Sequence, residues 1–163
     1  MSEDTKKKLL KKPSKRTLII VGAVVVIGAA LWASFSMGLF GGALGSKKVN
    51  FEQLGKDKIP KSIETEVIPE YRELERALGC LIDGKVYVVV TRGEKPTAGY
   101  SVDIEDIRLE KGKKGDNMQV HVLFKEPKEG EAVSQIITYP YSVAETDLTK
   151  LPSTIELIVK YEE

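Results

Sequence analysis

The hydrophobic pattern of the chain changes twice, and each part predicts a different kind of structure. From position 17 to position 46 there is no charged residue, and the run from Leu18 to Phe40 is apolar or small throughout. About 20 helical residues cross a bilayer core. The pattern therefore predicts one N-terminal transmembrane helix over residues 17–41. Residues 42–69 show no clear period, and we expect a linker and an irregular lead-in there.

A helical period follows at residues 69–79. Proline is favoured in the first turn of a helix, and Pro69 stands at that point. Tyr71, Leu74 and Leu78 fall on one helical face with charged residues elsewhere. Gly79 suits the C-terminal end of a helix. We therefore expect one short helix at the start of a folded domain that spans residues 70–163.

From position 81 the apolar residues alternate with a period of two, which is typical of β-strands. Asp83-Gly84 predicts a type I′ hairpin turn, and the run 85–91 is apolar on both faces, as in a central strand. In residues 100–110 the alternation changes phase at Glu105–Asp106, which predicts a β-bulge. Further strands are expected at residues 118–125, 132–141 and 154–161, with a polar connection at 143–152.

The expected fold is mainly β. It is an antiparallel β-sandwich or a curved meander of about six strands with one short helix, behind one transmembrane helix. The alternative for the N-terminus is a cleaved signal peptide, whose apolar region is usually shorter than this one. A lipid anchor on Cys80 is disfavoured because that residue lies far from the apolar segment. Cys80 is expected to be a small buried hydrophobe.

Charge is divided unevenly along the 163-residue chain. The N-terminal 46 residues hold seven of the 25 Lys/Arg and two of the 24 Asp/Glu, whereas the remainder has four more acids than bases. The positive-inside rule places the basic head, residues 1–16, in the cytoplasm and the folded domain outside. Because that domain has no surplus of positive charge, the pattern argues against a nucleic-acid partner.

Composition and motifs give no support to an enzyme. The chain has one Cys and one His, which excludes a Cys-rich zinc site and a His-rich metal site. None of the common hydrolase, phosphate-binding or calcium-binding motifs is present. His121 lies on the more polar side of its strand and is expected to be a surface histidine. We therefore predict no catalytic residue, no metal ligand and no cofactor.

The connection between the strands at 85–91 and 100–110 is longer than a reversal of the chain requires. Pro96 fixes one backbone angle, and Gly99 permits an angle or a close approach that other residues avoid. Tyr100 adds a large amphipathic side chain. A rigid loop with one aromatic anchor suits protein binding, because little entropy is lost on docking. The alternative is a plain hairpin loop with Tyr100 packed into its own core.

The same residues carry a family resemblance. The sequence Arg92-Gly-Glu-Lys-Pro-Thr-Ala-Gly-Tyr-Ser-Val102, followed by Glu105-Asp-Ile107, resembles the C-terminal domain of the bacterial protease-complex subunit PrcB family. A second block within residues 122–141 follows in the same order, so the resemblance covers roughly residues 80–145. It implies an exported or membrane-attached protein that associates with or stabilises an extracytoplasmic protease. The founding members are lipoproteins, whereas this chain has an apparent transmembrane helix.

A shorter resemblance involves the loop alone. Lys95-Pro-Thr-Ala-Gly-Tyr100 is similar to the Pro-Thr-x-Gly-Tyr loop of chagasin-type inhibitors of cysteine proteases. Those inhibitors have an immunoglobulin-like β fold and insert the loop into the protease cleft. Convincing counterparts of their other two loops are absent from this sequence. This similarity makes the same loop the best candidate contact surface.

These arguments predict a single-pass bacterial membrane protein with a cytoplasmic N-terminus and an extracytoplasmic protein-binding domain. Its expected partner is an extracytoplasmic protein, with an exported protease favoured, and its helix contacts membrane lipid. Two alternatives stay open: an assembly module of the cell envelope, and a β domain that binds a small ligand or glycan near Tyr87, Tyr139 or Tyr141. The candidate partner-binding residues are Lys95, Pro96, Thr97, Ala98, Gly99, Tyr100, Pro140 and Tyr141.

Overall fold

A computed structural model describes Ile19–Gly22, Val24–Val25 and residues 45–162 of the chain. The strands are β1 (Ile19–Gly22), β2 (Val24–Val25), β3 (Ser46–Lys48), β4 (Phe51–Gln53), β5 (Glu75–Ile82), β6 (Lys85–Arg92), β7 (Ser101–Gly112), β8 (Gly115–Lys125), β9 (Tyr141–Thr146) and β10 (Thr154–Tyr161). Between β4 and β5 lie a 3₁₀ turn, Lys56–Lys58, and a π-helical turn, Ile63–Val67, that continues into the short helix α1 (Ile68–Tyr71).

The strands form two sheets. The first sheet has the order β1-β5-β6-β9-β4, and the second sheet has the order β2-β10-β8-β7-β3. Every pair in the first sheet is antiparallel, but β10 runs parallel to both β8 and β2. The prediction of a mainly β fold is confirmed, and its purely antiparallel order is corrected in the second sheet. The reason is the connection 147–153, which carries the chain from one sheet to the other before β10 begins.

The predicted hairpin turn and β-bulge are both confirmed. Asp83 and Gly84 have φ angles of 49° and 80°, as the two central residues of a type I′ turn require. β6 lies between β5 and β9, and both of its faces are buried. The pairing of β7 with β8 shifts by one residue between Ile104 and Asp106. Ile104 and Ile107 are consequently both buried despite their odd spacing.

The core has two layers of apolar side chains. One lies between the sheets and joins Val88 and Val90 of β6 to residues such as Val122, Phe124 and Leu157 of the second sheet. The other covers the opposite face of the first sheet, where the helical segment packs against β5, β6 and β9. Its fully buried side chains are Ile63, Val67, Leu78, Cys80, Val89 and Val143. Residues expected to form an irregular lead-in are therefore part of the folded domain.

The predicted helix over residues 69–79 is wrong in its position. Helix α1 ends at Tyr71, and β5 begins at Glu75 and pairs with β6 through to Ile82. The helical spacing of Tyr71, Leu74 and Leu78 is a coincidence, because Tyr71 ends α1, Leu74 precedes β5 and only Leu78 lies in the strand. Ala77 faces the layer between the sheets, whereas Leu78 faces the helical segment.

The predicted strand over residues 132–141 is also wrong. β9 begins at Tyr141 and runs through Thr146, into the stretch expected to be a polar connection. Residues before Pro140 instead lie against the loop that contains Lys95, to which they are joined by a single antiparallel bridge at Thr138. The last predicted strand, residues 154–161, is confirmed as β10.

The predicted transmembrane helix over residues 17–41 lies for the most part outside the described residues. Of that segment the structure describes only Ile19–Gly22, which pairs with β5, and Val24–Val25, which pairs with β10. The basic head, residues 1–16, also lies outside them. Within the described part of the chain, no helix has the length and hydropathy needed to span a bilayer.

Candidate functional site: an open groove beside the 95–101 loop

An open groove of about 550 Å³ lies at one end of the first sheet. Residues 98–102 form one side and residues 137–141 form the other, with Lys56, Ile68 and Arg72 of the helical region completing it. Drug-sized ligands and short peptide segments occupy sites of this size. We call this feature the groove. We call its two long sides the 98–102 wall and the 137–141 wall.

The loop before the 98–102 wall is fastened by backbone hydrogen bonds. Lys95 N–H donates to the carbonyl oxygen of Thr138 at 2.8 Å, and Thr138 N–H donates back to Lys95 at 2.9 Å. Ala98 N–H donates to the carbonyl oxygen of Ser134 at 3.0 Å. The Thr138 hydroxyl donates to the carbonyl oxygen of Thr97 at 2.8 Å. The loop and residues 134–138 therefore form one paired unit rather than a free, projecting loop.

Gly99 is required by its backbone angle and by its neighbours. Its φ angle is +94°, which side-chain-bearing residues rarely adopt. A Cβ atom at this position would lie 2.8 Å from Cβ of Pro127 and 3.2 Å from Cγ1 of Val133. The sequence indicated either an unusual angle or a close approach at Gly99. The structure shows both, and the approaching atoms belong to the same domain.

Arg92, at the end of β6, is the largest fully buried side chain, with 1% of its surface exposed. Its guanidinium donates to the backbone carbonyls of Ser101 and Lys125 and forms a salt bridge to Glu126 at 3.2 Å. It also lies over the ring of Phe124, 4.6 Å from the ring centre. Burial lowers the pKa of Arg92, and Glu126 opposes this shift. Arg92 thus ties the start of β7 to the end of β8 directly behind the groove.

Tyr100 has one side on this buried arginine and one side on the groove. The Arg92 guanidinium lies 5.1 Å from the centre of the Tyr100 ring, and the Lys95 ammonium lies 5.9 Å from it. Tyr100 is half-buried and still lines the groove. Its ring is therefore packed onto its own domain and can offer a partner only the remaining face.

The structure brings five of the eight predicted residues to one surface. Ala98, Gly99 and Tyr100 lie in the 98–102 wall, and Pro140 and Tyr141 lie opposite them. Pro140 also accepts a hydrogen bond from the backbone N–H of Arg92 at 3.0 Å. Lys95, Pro96 and Thr97 belong to the adjoining loop and do not line the groove.

Two features of the groove escaped sequence reasoning. The first is the adjacent pair Ile136 and Ile137, which are 59% and 61% exposed, and of which Ile137 lines the groove. The wrong strand prediction hid this pair, because an alternating strand would bury one of the two. The second is the contribution of Lys56, Ile68 and Arg72. No local signal could reveal it, since they reach the groove only through the packing of the helical segment.

Tyrosine side chains shape one end of the groove. The Arg72 guanidinium lies over the Tyr139 ring at 4.6 Å, and the Tyr139 hydroxyl donates to Glu94 at 2.8 Å. This hydrogen bond raises the pKa of Tyr139. Tyr87, named with Tyr139 and Tyr141 as a possible ligand contact, is instead buried in the first sheet and bonded to Glu145.

The remaining titratable candidates lie away from the groove. His121 is half-buried on the outer face of the second sheet, opposite Asp106, and burial lowers its pKa. Cys80 is fully buried, as predicted, and burial raises the pKa of its thiol to about 11. Among residues 45–162 no three or more His, Cys, Asp or Glu side chains are grouped so that they could hold a metal ion.

The groove lies largely within a region that matches a known family. Residues 86–147 match the family described as PrcB C-terminal. The matched region runs from β6 to the end of β9 and contains both long walls, Arg92 and the exposed isoleucine pair. The resemblance predicted from the sequence is confirmed over these residues. No curated protein and no solved structure matches the chain.

Proposed function

We propose that this chain, whose residues 86–147 match the PrcB C-terminal family, is a membrane-anchored and non-catalytic partner of an exported protease. It stabilises or regulates that protease by holding a segment of it in the groove. The observation that carries the proposal is a rigid, family-matched wall set beside two exposed isoleucines. The family supports association with a protease complex, and the groove supplies a surface for it.

The proposal rests on an ordered 98–102 wall beside two exposed isoleucine side chains. The 98–102 wall is already ordered by Gly99, Arg92 and its backbone bonds, so docking loses little conformational entropy there. Ile136 and Ile137 keep more than half of their surface in water. Covering each of them with a partner would contribute about 1 kcal/mol. Exposed apolar groups beside an ordered polar frame are typical of protein-binding surfaces.

The membrane anchor is the second half of the proposal and has separate support. It rests on the uncharged run from position 17 to position 46 and on the lysines before it. Insertion into a bilayer requires Ile19–Gly22 and Val24–Val25 to leave β5 and β10.

Alkaline carbonate extraction of cell membranes tests the anchor. We expect the full chain to stay in the membrane pellet, and a chain lacking residues 17–41 to appear in the supernatant. A full chain that is released by carbonate would contradict the anchor, whatever the result for partner binding.

Co-purification tests the protease partner. The full chain carries a C-terminal tag, is expressed in its native envelope, and is recovered in mild detergent with bound proteins identified by mass spectrometry. The test variant is the double change Ile136→Thr and Ile137→Thr, and the matched control is Ile158→Thr, half-buried in β10. We expect wild type and control to retain an exported protease and the double variant to lose it. Recovery of no protease, or equal recovery with all three, contradicts the proposal.

A further inference from the structure

We infer that the groove recognises a segment of the partner that pairs an apolar side chain with a carboxylate. The apolar side chain would lie against Ile137 and Tyr139, and the carboxylate beside Arg72 and Lys56. This inference rests on the proposed function and adds the chemistry of the segment that the groove holds.

The charge of the groove points to an acidic ligand. Two cations, Lys56 and Arg72, line the groove, and no Asp or Glu is among its lining residues. The folded part of the chain has four more acids than bases, whereas the side chains that line the groove include two bases and no acid. Complementary charge across an interface steers the approach of a partner and selects against like-charged ones. The charged side chains that line the groove therefore favour a carboxylate over an ammonium group.

Arg72 is arranged to receive such a carboxylate. Its guanidinium stacks on the Tyr139 ring at 4.6 Å, which leaves the N–H groups at its edge free for a planar acceptor. Within residues 45–162, neither Arg72 nor Lys56 takes part in a salt bridge. Two acids lie near Tyr139, since Glu94 accepts the Tyr139 hydroxyl at 2.8 Å and the charge of Glu73 also raises the pKa of that tyrosine. Among residues 45–162 neither acid forms a salt bridge with Arg72. A partner carboxylate can thus form a bidentate pair with Arg72.

The apolar half of the ligand follows from the opposite wall. Ile137 is 61% exposed and lines the groove next to Tyr139 and Pro140, while Ile68 contributes from the helical segment. These apolar groups line the same groove as the two cations, and Arg72 lies over the Tyr139 ring. A segment with an aliphatic or aromatic residue close to an acidic one would satisfy both halves at once.

Synthetic octapeptides provide the probe. Each peptide has an alanine background with one Phe or Leu, followed one to three positions later by Glu. For each such peptide, comparison peptides carry Gln or Lys in place of Glu, or Ser in place of the apolar residue. Binding to the full chain in detergent is measured by fluorescence anisotropy at low salt, where partly exposed ion pairs are strongest. We expect Glu peptides to bind at least about threefold tighter than their Gln counterparts, the range of an exposed ion pair.

Charge reversal in the groove supplies the decisive variant. The double change Lys56→Glu and Arg72→Glu should turn the preference from Glu peptides to Lys peptides. The matched control, Lys113→Glu with Lys114→Glu in the β7–β8 turn, makes the same charge change elsewhere and should leave the preference intact. Circular dichroism of both variants confirms that they are folded.

The peptide and co-purification results test the ligand chemistry and the protease assignment separately. Equal affinity for Glu and Gln peptides, no measurable binding of any peptide, or a Glu preference that survives the groove reversal overturns this inference. So does an equal change in the control variant. If a protease co-purifies while the peptides show no preference, only this inference fails. If the peptides behave as expected while no protease is recovered, the ligand chemistry stands and the protease assignment fails.

Discussion

The two long walls of the groove differ in the surface that they expose, although backbone bonds hold both of them. The 98–102 wall is fixed from behind, by the positive φ angle of Gly99, by the buried Arg92 and by backbone bonds to residues 134–138. The 137–141 wall carries Ile137, and Ile136 precedes it in the chain; both keep most of their surface in water. The comparison teaches that the unusual loop sequence maintains the shape of the site. The less distinctive isoleucine pair offers the surface that a partner can cover.

The largest expected loss of stability comes from removing Arg92, which supports the 98–102 wall. Arg92→Met should lower the free energy of unfolding by about 3 kcal/mol, because the part-buried backbone carbonyls of Ser101 and Lys125 each lose a charged donor. The measurement is urea unfolding of the full chain in detergent, followed by circular dichroism. Arg108→Met is the control, since that side chain is half-exposed on β7 and its ion pair is worth about 1 kcal/mol or less. Equal losses in the two variants would show that Arg92 is not the support we describe.

The next effect separates the backbone angle of Gly99 from its crowding. Gly99→Ala should cost about 2–3 kcal/mol, since it combines a strained angle with a steric contact. Gly130→Ala is the matched control, because Gly130 has a φ angle of +80° but no atom within 4 Å of the added Cβ. It should cost about 1 kcal/mol. If the two changes cost the same, the contact with Pro127 and Val133 has no energetic weight.

A smaller effect is expected from the two tyrosines that meet arginines. Tyr100→Leu should cost about 1 kcal/mol, because its ring lies against a desolvated guanidinium. Tyr139→Leu should cost about 0.5 kcal/mol, because Arg72 is exposed to water. The same unfolding measurement compares the pair. A larger loss of unfolding free energy for Tyr139→Leu than for Tyr100→Leu would contradict our view that the 98–102 wall depends more strongly on its arginine contact than the 137–141 wall does.

The smallest effect on stability belongs to the exposed pair. Replacing Ile136 and Ile137 by Thr should change the free energy of unfolding by less than about 0.5 kcal/mol, as for other exposed positions. A loss as large as that of Gly99→Ala would show that the pair is part of the core and not a free surface.

Local chemistry made some elements of the fold predictable. Asp83-Gly84 specifies its turn type because both residues accept a positive φ angle. The bulge at Glu105 was visible because one extra residue shifts the phase of the alternation. β10 was found with its observed ends because Pro152 and Ser153 precede it and its alternation is regular through Tyr161.

Other elements depend on contacts that no local pattern contains. Helix α1 ends at Tyr71 and β5 follows after three residues, so one apolar residue from each, together with Leu74 between them, satisfied a helical period. Residues 132–139 are rich in β-branched residues, as strands are, but their backbone groups pair with the 95–98 loop rather than with a sheet. The groove joins Lys56 and Arg72 to residues 98–102 and 137–141, which only the folded chain brings together. The sequence therefore revealed the 98–102 wall and two residues of the other wall, Pro140 and Tyr141, but not the exposed isoleucine pair.

The central claim is that the exposed isoleucine pair binds the partner without stabilising the fold. One experiment on two samples tests it most directly. Wild type and the Ile136→Thr, Ile137→Thr variant are purified from the native envelope, and retained protease and urea unfolding are measured on each. Our account predicts unchanged unfolding together with a fall in retained protease of at least about tenfold, equivalent to 1.4 kcal/mol of binding. Full retention of the protease by a variant with unchanged unfolding would contradict it.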